Sequence, residues 1–219
     1  MCMNELEGKI EQLRDADPDI RSYAAKSLGK MRAAEAIDPL LEALRDDEAV
    51  VRRRAARALG KIRDPLAVPD LIAVLEDGAR NVRKDAAKAL GNIRDHQAAG
   101  PLIAAMTDTS ADVREAAVRA LGKIRIVSAV EPLTGALQDS SEDVREAAVK
   151  ALGAMRSQRA VGPLSAALED TSEDVRKAAA KALGRIRSPQ AVDDLTATLQ
   201  DRSKSVRKRA AKALKKVQK

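Results

Sequence analysis

The chain has 219 residues, with 40 Lys and Arg against 33 Asp and Glu for a net charge of +7, 45% hydrophobic residues, one Tyr and no Phe or Trp. It is too apolar for a disordered chain, and without aromatic wedges its core must be packed from Ala, Leu, Ile and Val in thin, close layers. One cysteine and one histidine, Cys2 and His96, exclude a His/Cys metal site, and no glycine-rich phosphate loop or convergent catalytic set occurs, so the sequence predicts neither an enzyme nor a cofactor.

The chain opens on Met1-Cys2-Met3, with no apolar signal segment after it and no second cysteine. A soluble protein in a reducing, cytoplasmic setting is expected, with Cys2 a tail residue, no membrane partner and a monomeric state. From Met3 onward a period of 31 residues governs the sequence. Arginine recurs at Arg21, Arg52, Arg83, Arg114, Arg145, Arg176 and Arg207, each preceded by Ile or Val, and leucine follows in phase from Leu28 to Leu214. Glycine comes next at Gly29, Gly60, Gly91, Gly122, Gly153 and Gly184, with Lys215 in the seventh copy. The units are 3–33, 34–64, 65–95, 96–126, 127–157, 158–188 and 189–219, expected to form one domain.

Each unit reads as two helices. Helix A of the second unit carries Ile37, Leu40, Leu41 and Leu44 on one side, echoed by Val130, Leu133 and Leu137. Asp64-Pro65 and Ser188-Pro189 read as cap then proline at the starts of later A helices, and His96 after Asp95 falls at another such start. A further proline inside helix A (Pro39, Pro101, Pro132, Pro163) predicts a short, bent helix lacking one backbone donor. Helix B follows with Val51, Ala55, Ala58, Leu59 and Ile62 on one face, starting after Asp17, Ser110, Ser141, Ser172 or Ser203 as N-caps, with Pro18 at the first helical position. At the ends, Lys9 replaces the leucine of the Leu40 column and Lys215 the glycine, which predicts polar caps.

The helix A proline, the Val-Arg opening of helix B and the aspartate six residues before each arginine (Asp15, Asp46, Asp77, Asp108, Asp139, Asp170, Asp201) resemble HEAT repeats, specifically the short type of phycobilisome-lyase-related and archaeal proteins. The resemblance covers residues 3–219. It implies an all-α, right-handed α-solenoid of seven 31-residue helical hairpins, with the aspartates and arginines bonded along the stack; loss of Arg114 would strand Asp108 if that pair is buried. The chain is also similar to the artificial alphaRep scaffolds, which have glycine where this one has Arg32, Arg63, Arg94, Arg125, Arg156 and Arg187. Asp70 and Asp194 in the proline column argue for a natural protein. HEAT-like enzymes share the architecture, but their repeated His-Glu pairs or groove aromatics do not occur here.

Small residues on the flanks of helix B (Ala25, Ser27, Gly29; Ala56, Ala58, Gly60) predict close approach there, placing the B helices on a concave side. The columns facing that groove begin at Ser22, Tyr23, Lys26 and Lys30. The Lys26 column is basic in every copy: Lys26, Arg57, Lys88, Arg119, Lys150, Lys181 and Lys212. Arg53, Lys61, Lys84, Lys123, Lys177 and Arg185 add to it, and the groove's surplus exceeds the chain's whole net charge of +7, leaving the remainder net acidic. Such a face is either a solvated helix surface or an electrostatic attractant. Glu115 with Arg119 and Glu146 with Lys150 form i,i+4 pairs, while Ala116 and Ala147 predict a shallow apolar floor. These features predict a scaffold whose groove binds an acidic protein or peptide segment, with nucleic-acid backbone binding by the same groove or by the Arg32 column as the alternative. The lone Tyr23 offers little base stacking. The Arg32 column also suits the exposed carbonyls at the end of helix B.

Overall fold

The computed structural model describes residues 3–218, so the tail reading of Cys2 lies outside the described residues. Within the described residues the chain is helical throughout, without strands. It forms two compact units, Met1–Ile124 and Arg125–Lys219, with the boundary in the chain at the end of the fourth repeat's second helix.

In the first unit, helix A and helix B alternate as α1 (Met3–Glu11), α2 (Pro18–Met31), α3 (Ile37–Ala43), α4 (Ala49–Ile62), α5 (Val68–Ala73), α6 (Arg80–Ile93), α7 (Ala99–Ala104) and α8 (Ala111–Ile124). The second unit continues with α9 (Val130–Gly135), α10 (Glu142–Met155), α11 (Val161–Ala166), α12 (Glu173–Ile186), α13 (Val192–Ala197) and α14 (Lys204–Val217). These are helical-hairpin repeats of the α-solenoid class in the 31-residue phase the sequence sets.

The A helices depart from the expected proline bend. Pro39, Pro101, Pro132 and Pro163 are each the third residue of an α-helix entered through a 3-10 turn. The N–H groups of a first helical turn have no intrahelical acceptor, so no helical bond is forfeited there. The chain accommodates the proline by changing winding from 3-10 to α just ahead of it, and the A helices are short because turns bound them on both sides.

Capping is also more selective than the sequence implies. Asp17 and Ser203 accept from the N–H of Asp19 and Ser205 at 2.8 and 3.2 Å. Ser141 and Ser172 occupy the cap position but their hydroxyls make no capping bond, and neither does that of Ser188. The aspartate two residues earlier fixes the turn ahead of the helix instead, capped or not: the backbone N–H of Ser141 donates to Asp139, that of Ser172 to Asp170 and that of Ser203 to Asp201, at 2.8, 2.7 and 2.7 Å. Asp64 and Asp95 do cap their turns, and His96 is an exposed turn residue.

Each of the five central hairpins fully buries one leucine from each helix, and each terminal hairpin fully buries one. Leu28, Leu40, Leu59, Leu71, Leu90, Leu102 and Leu121 in the first unit, and Leu133, Leu152, Leu164, Leu183 and Leu195 in the second, are fully buried. At roughly 1.5–3 kcal/mol per buried leucine this column is the main apolar contribution. Adjacent B helices approach so closely that a Cβ on Gly29, Gly60 or Gly91 would lie 2.6, 2.6 or 2.7 Å from the Cα of Ala58, Ala89 or Ala120. Gly153 and Gly184 stand in the same relation to Ala182 and Ala213 in the second unit. The terminal lysines are polar as expected: Lys9 donates to Gln12 at 2.9 Å and lies 5.1 Å from the Tyr23 ring centre, and Lys215 is exposed.

Candidate functional site

The aspartate–arginine ladder joins neighbouring repeats. Arg21 grips Asp46, Arg52 grips Asp77 and Arg83 grips Asp108 through paired Nε and Nη2 bonds of 2.6–3.1 Å. In the second unit Arg145 holds Asp170 and Arg176 holds Asp201 in the same way. Each arginine also donates through Nη1 to the backbone carbonyl of its own repeat's aspartate, as Arg83 does to Asp77 at 2.8 Å. The carboxylate of Asp108 therefore belongs to Arg83, while Arg114 donates through Nη1 to the backbone carbonyls of Asp108 and Thr109, at 3.0 and 3.4 Å. The expectation that Arg114 holds the Asp108 carboxylate is corrected, because an arginine reaches forward along the stack, to the following repeat's aspartate. The arginine hydrogen bond holds Asp46, Asp108 and Asp201 below the usual carboxylate range against the opposing effect of burial. In Asp77 and Asp170 burial is the larger single influence, yet arginine and backbone N–H bonds together still bring the carboxyls down. Two charge-assisted bonds per pair fix repeat to repeat.

Arg32, Arg63, Arg94, Arg125, Arg156 and Arg187 follow their B helices in the left-handed conformation, with φ of 55°, 67°, 66°, 60°, 53° and 60°. The backbone N–H of Arg32, Arg63 and Arg94 closes on the carbonyl four residues back, while the exposed side chains make no hydrogen bond or ion pair among the described residues. The backbone thus does the capping that the sequence suggested for the guanidinium groups.

The B helices carry the basic columns. Lys26, Arg57, Lys88 and Arg119 in the first unit and Lys150, Lys181 and Lys212 in the second are all exposed. Arg119 bonds Glu115 and Lys150 bonds Glu146, both at 2.6 Å, as the i,i+4 spacing predicts. Lys84 pairs with Asp112 at 3.0 Å, Lys177 pairs with Asp174, and Lys123 donates to the Asn92 side chain at 2.8 Å. Burial, then the charges of Arg94, Arg63, Arg119 and Lys88, lower the pKa of Lys123. The charge of Arg185, then burial, does the same for Lys181. Like charges are therefore held close enough to raise one another's potential.

Two basic clefts result, one in each unit. Arg53, Arg57, Gly60 and Lys61 of α4 face Asn81, Lys84, Asp85, Lys88, Ala89 and Asn92 of α6 around a cleft of about 340 Å³. In the second unit Glu146 and Lys150 of α10, Lys177, Ala178, Lys181, Ala182 and Arg185 of α12 and Arg209 of α14 enclose about 410 Å³. Gly60 and Ala89 at the base of the first cleft show what makes it: the close backbone approach brings two long-chain basic columns to either side of a small-residue seam.

Ala116 and Ala147 do not form the expected floor. They are 2% and 1% exposed. At so small an interhelical separation these two alanines are covered, whereas Asp85, Ala178 and Arg209 of the same column line the two clefts. Tyr23 in the same column is exposed and lies beside Lys9, at the end of the first unit. Asp85, Asn92 and Arg209 fall in the groove-facing columns without having been singled out as contacts, and Asn81 lies outside those columns. The signal for three of them was available, since Asn81, Asp85, Lys88 and Asn92 fall at i, i+4, i+7 and i+11.

No helix among the described residues is long and apolar enough to cross a membrane, and no group of three or more His, Cys, Asp or Glu there could hold a metal ion. No curated protein matches the chain. Among solved structures it is 29% identical to a chain in the complex of CpcE and CpcF of phycocyanin lyase from Nostoc sp. PCC7120, with a TM-score of 0.64 over 97% of this chain and 86% of that one. It shares the fold of Escherichia coli YibA, at 22% identity and a TM-score of 0.73 over 100% and 82% of the two chains. The fold is also that of a designed armadillo repeat protein in complex with the peptide (KR)4, at 23% identity and a TM-score of 0.56 over 97% and 99%. The HEAT repeat model matches residues 6–84, 68–146, 100–172 and 130–215. The 31-residue period, the helical hairpins and this match agree, and the chain belongs to the HEAT repeat family.

Proposed function

We propose that this protein is a non-enzymatic scaffold whose basic B-helix face binds an acidic protein or peptide segment. The observation that carries the reading is the Lys26 column, basic in every repeat and exposed in every repeat. Lys61, Lys88, Lys181 and Arg185 are exposed and make no ion pair among the described residues, so a carboxylate-rich segment would meet cations whose charge is not already neutralised. Their field would set encounter rate and register. The designed relative that holds the peptide (KR)4 supports peptide binding by repeat surfaces of this fold, and a basic face calls for the opposite peptide charge.

Nucleic-acid backbone binding is the second reading, favoured by the six exposed arginines of the Arg32 column. One assay separates the two: anisotropy of a fluorescent glutamate-rich peptide and of duplex DNA across a salt series, with wild type and with Lys88→Glu plus Lys181→Glu. Peptide binding that collapses on charge reversal is expected. Peptide binding that survives unchanged makes the face a solvated surface only. Tight duplex binding at physiological salt, with log K falling by about 0.9 per decade of salt for each phosphate neutralised, replaces the peptide reading.

A further inference from the structure

The cleft between α4 and α6 holds more uncommitted positive charge than one carboxylate neutralises. Arg53, Arg57, Lys61, Lys84 and Lys88 line it with a single acidic residue, Asp85, which is 7% exposed. Arg57 Nε lies 4.0 Å from the Asp85 carboxylate, and Lys84 is engaged by Asp112. Arg53, Lys61 and Lys88 make no ion pair among the described residues. The Nε–H of Arg53 is buried without any hydrogen-bond partner, a cost a fold ordinarily avoids. Asn92 accepts from Lys123 through Oδ1, which leaves its NH2 group to donate, and Asn81 adds a second side-chain amide. The cleft is thus lined by several cationic side chains, three of them without an ion pair among the described residues, and by two neutral amides.

The second unit's cleft differs. Two of its lysines are already paired, Lys150 with Glu146 and Lys177 with Asp174, and no buried orphan donor lies on it. Volume bears on the choice as well. About 340 Å³ is room for roughly ten waters at ~30 Å³ each, more than a bare oxyanion fills and enough for an oxyanion with the chain that carries it.

Resting on the proposed reading of an acidic peptide partner, we infer that the α4–α6 cleft is a phosphomonoester site which takes a phosphorylated side chain of that partner. A phosphomonoester brings a charge of about −1.5 to −2 at neutral pH and three strong acceptor oxygens. It answers the charge of Arg53 and of the lysines of both walls at once, where a glutamate neutralises one cation and leaves the others unmet. Guanidinium groups on one wall and ammonium groups at the rim give it a fork and point charges together.

The test uses the full chain and two fluorescent peptides of equal length, glutamate-rich, with phosphoserine or glutamate at the central position. Wild type is expected to prefer the phosphopeptide by on the order of tenfold. Arg53→Gln plus Lys88→Ala should cut the preference to about twofold or less. A charge-matched control outside the cleft, Arg159→Gln plus Lys215→Ala, should keep it. Circular dichroism shows whether the variants keep their helices, and Lys61→Ala alone gives a second, milder variant. Equal binding of the two peptides overturns the phosphate site while leaving the acidic-partner reading standing. Binding of neither overturns that reading itself. A preference that survives Arg53→Gln plus Lys88→Ala places the site elsewhere. Inorganic phosphate competing at the phosphopeptide's own concentration shows that the free ion is the ligand, and a single-stranded oligonucleotide binding as tightly as the phosphopeptide assigns the cleft to phosphodiesters. Either result overturns the inference.

Discussion

Glycine to alanine at two places in the first unit should have opposite signs. At Gly60 an added Cβ would stand 2.6 Å from the Cα and 2.7 Å from the Cβ of Ala89. Carbon atoms in ordinary contact lie about 3.5–4.0 Å apart, so α4 and α6 must separate by about 1 Å or tilt. Overpacking of this kind costs about 1–3 kcal/mol, and the better helix propensity of alanine returns at most about 1 kcal/mol. Gly60→Ala should therefore be destabilising by about 1–2 kcal/mol. At Gly8, inside α1 and followed by no proline, an added Cβ meets nothing within 4 Å, so Gly8→Ala gains most of the propensity term, about 0.5–1 kcal/mol. Urea unfolding followed by circular dichroism measures both. With a slope of about 1–3 kcal/mol per molar urea, the variants' midpoints should differ by about 1 M, with wild type between them. If Gly60→Ala is as stable as Gly8→Ala, the B helices do not meet at the glycine column and the cleft above it loses its cause.

Other consequences are as direct. Leu121→Ala should cost roughly 2–5 kcal/mol, since Leu121 is fully buried, whereas Lys123→Ala should lie close to wild type in the same melt. Arg94→Gly should raise stability by about 0.5–1 kcal/mol, because a residue with a Cβ at φ 66° carries a left-handed penalty that glycine does not; a lower melting temperature would contradict this. The ladder gives a pH dependence of definite sign. Folded Asp46, Asp77, Asp108, Asp170 and Asp201 titrate below their unfolded value of about 3.9, so their contribution is complete above about pH 4 and is lost as pH falls through the depressed folded values. Melting temperatures should be level from neutral pH down to about 5 and decline below about 4, and Asp108→Asn should make that acid decline shallower.

The repeat, the hairpin and the core are legible in the order of residues alone. A period of 31 residues leaves one helical face per segment, and Leu28, Leu59 and Leu90 could only be buried by neighbours of the same kind. The same order places a basic residue at every Lys26-type position and lets Glu115 and Glu146 reach their i,i+4 partners, because intrahelical spacing is fixed by the helix alone. What spacing within one helix cannot give is the distance between two. That distance decided that Ala116 and Ala147 are buried instead of lining a floor, since glycine against alanine lets backbones approach until both are covered. It decided that Asp108 answers to Arg83 of the preceding repeat, and which cations remain uncommitted once Asp85, Asp112 and Glu115 have taken theirs. The left-handed arginines were hidden for a related reason: a helix stop is legible when glycine marks it, and here backbone geometry imposed by the next helix holds an arginine in glycine's place.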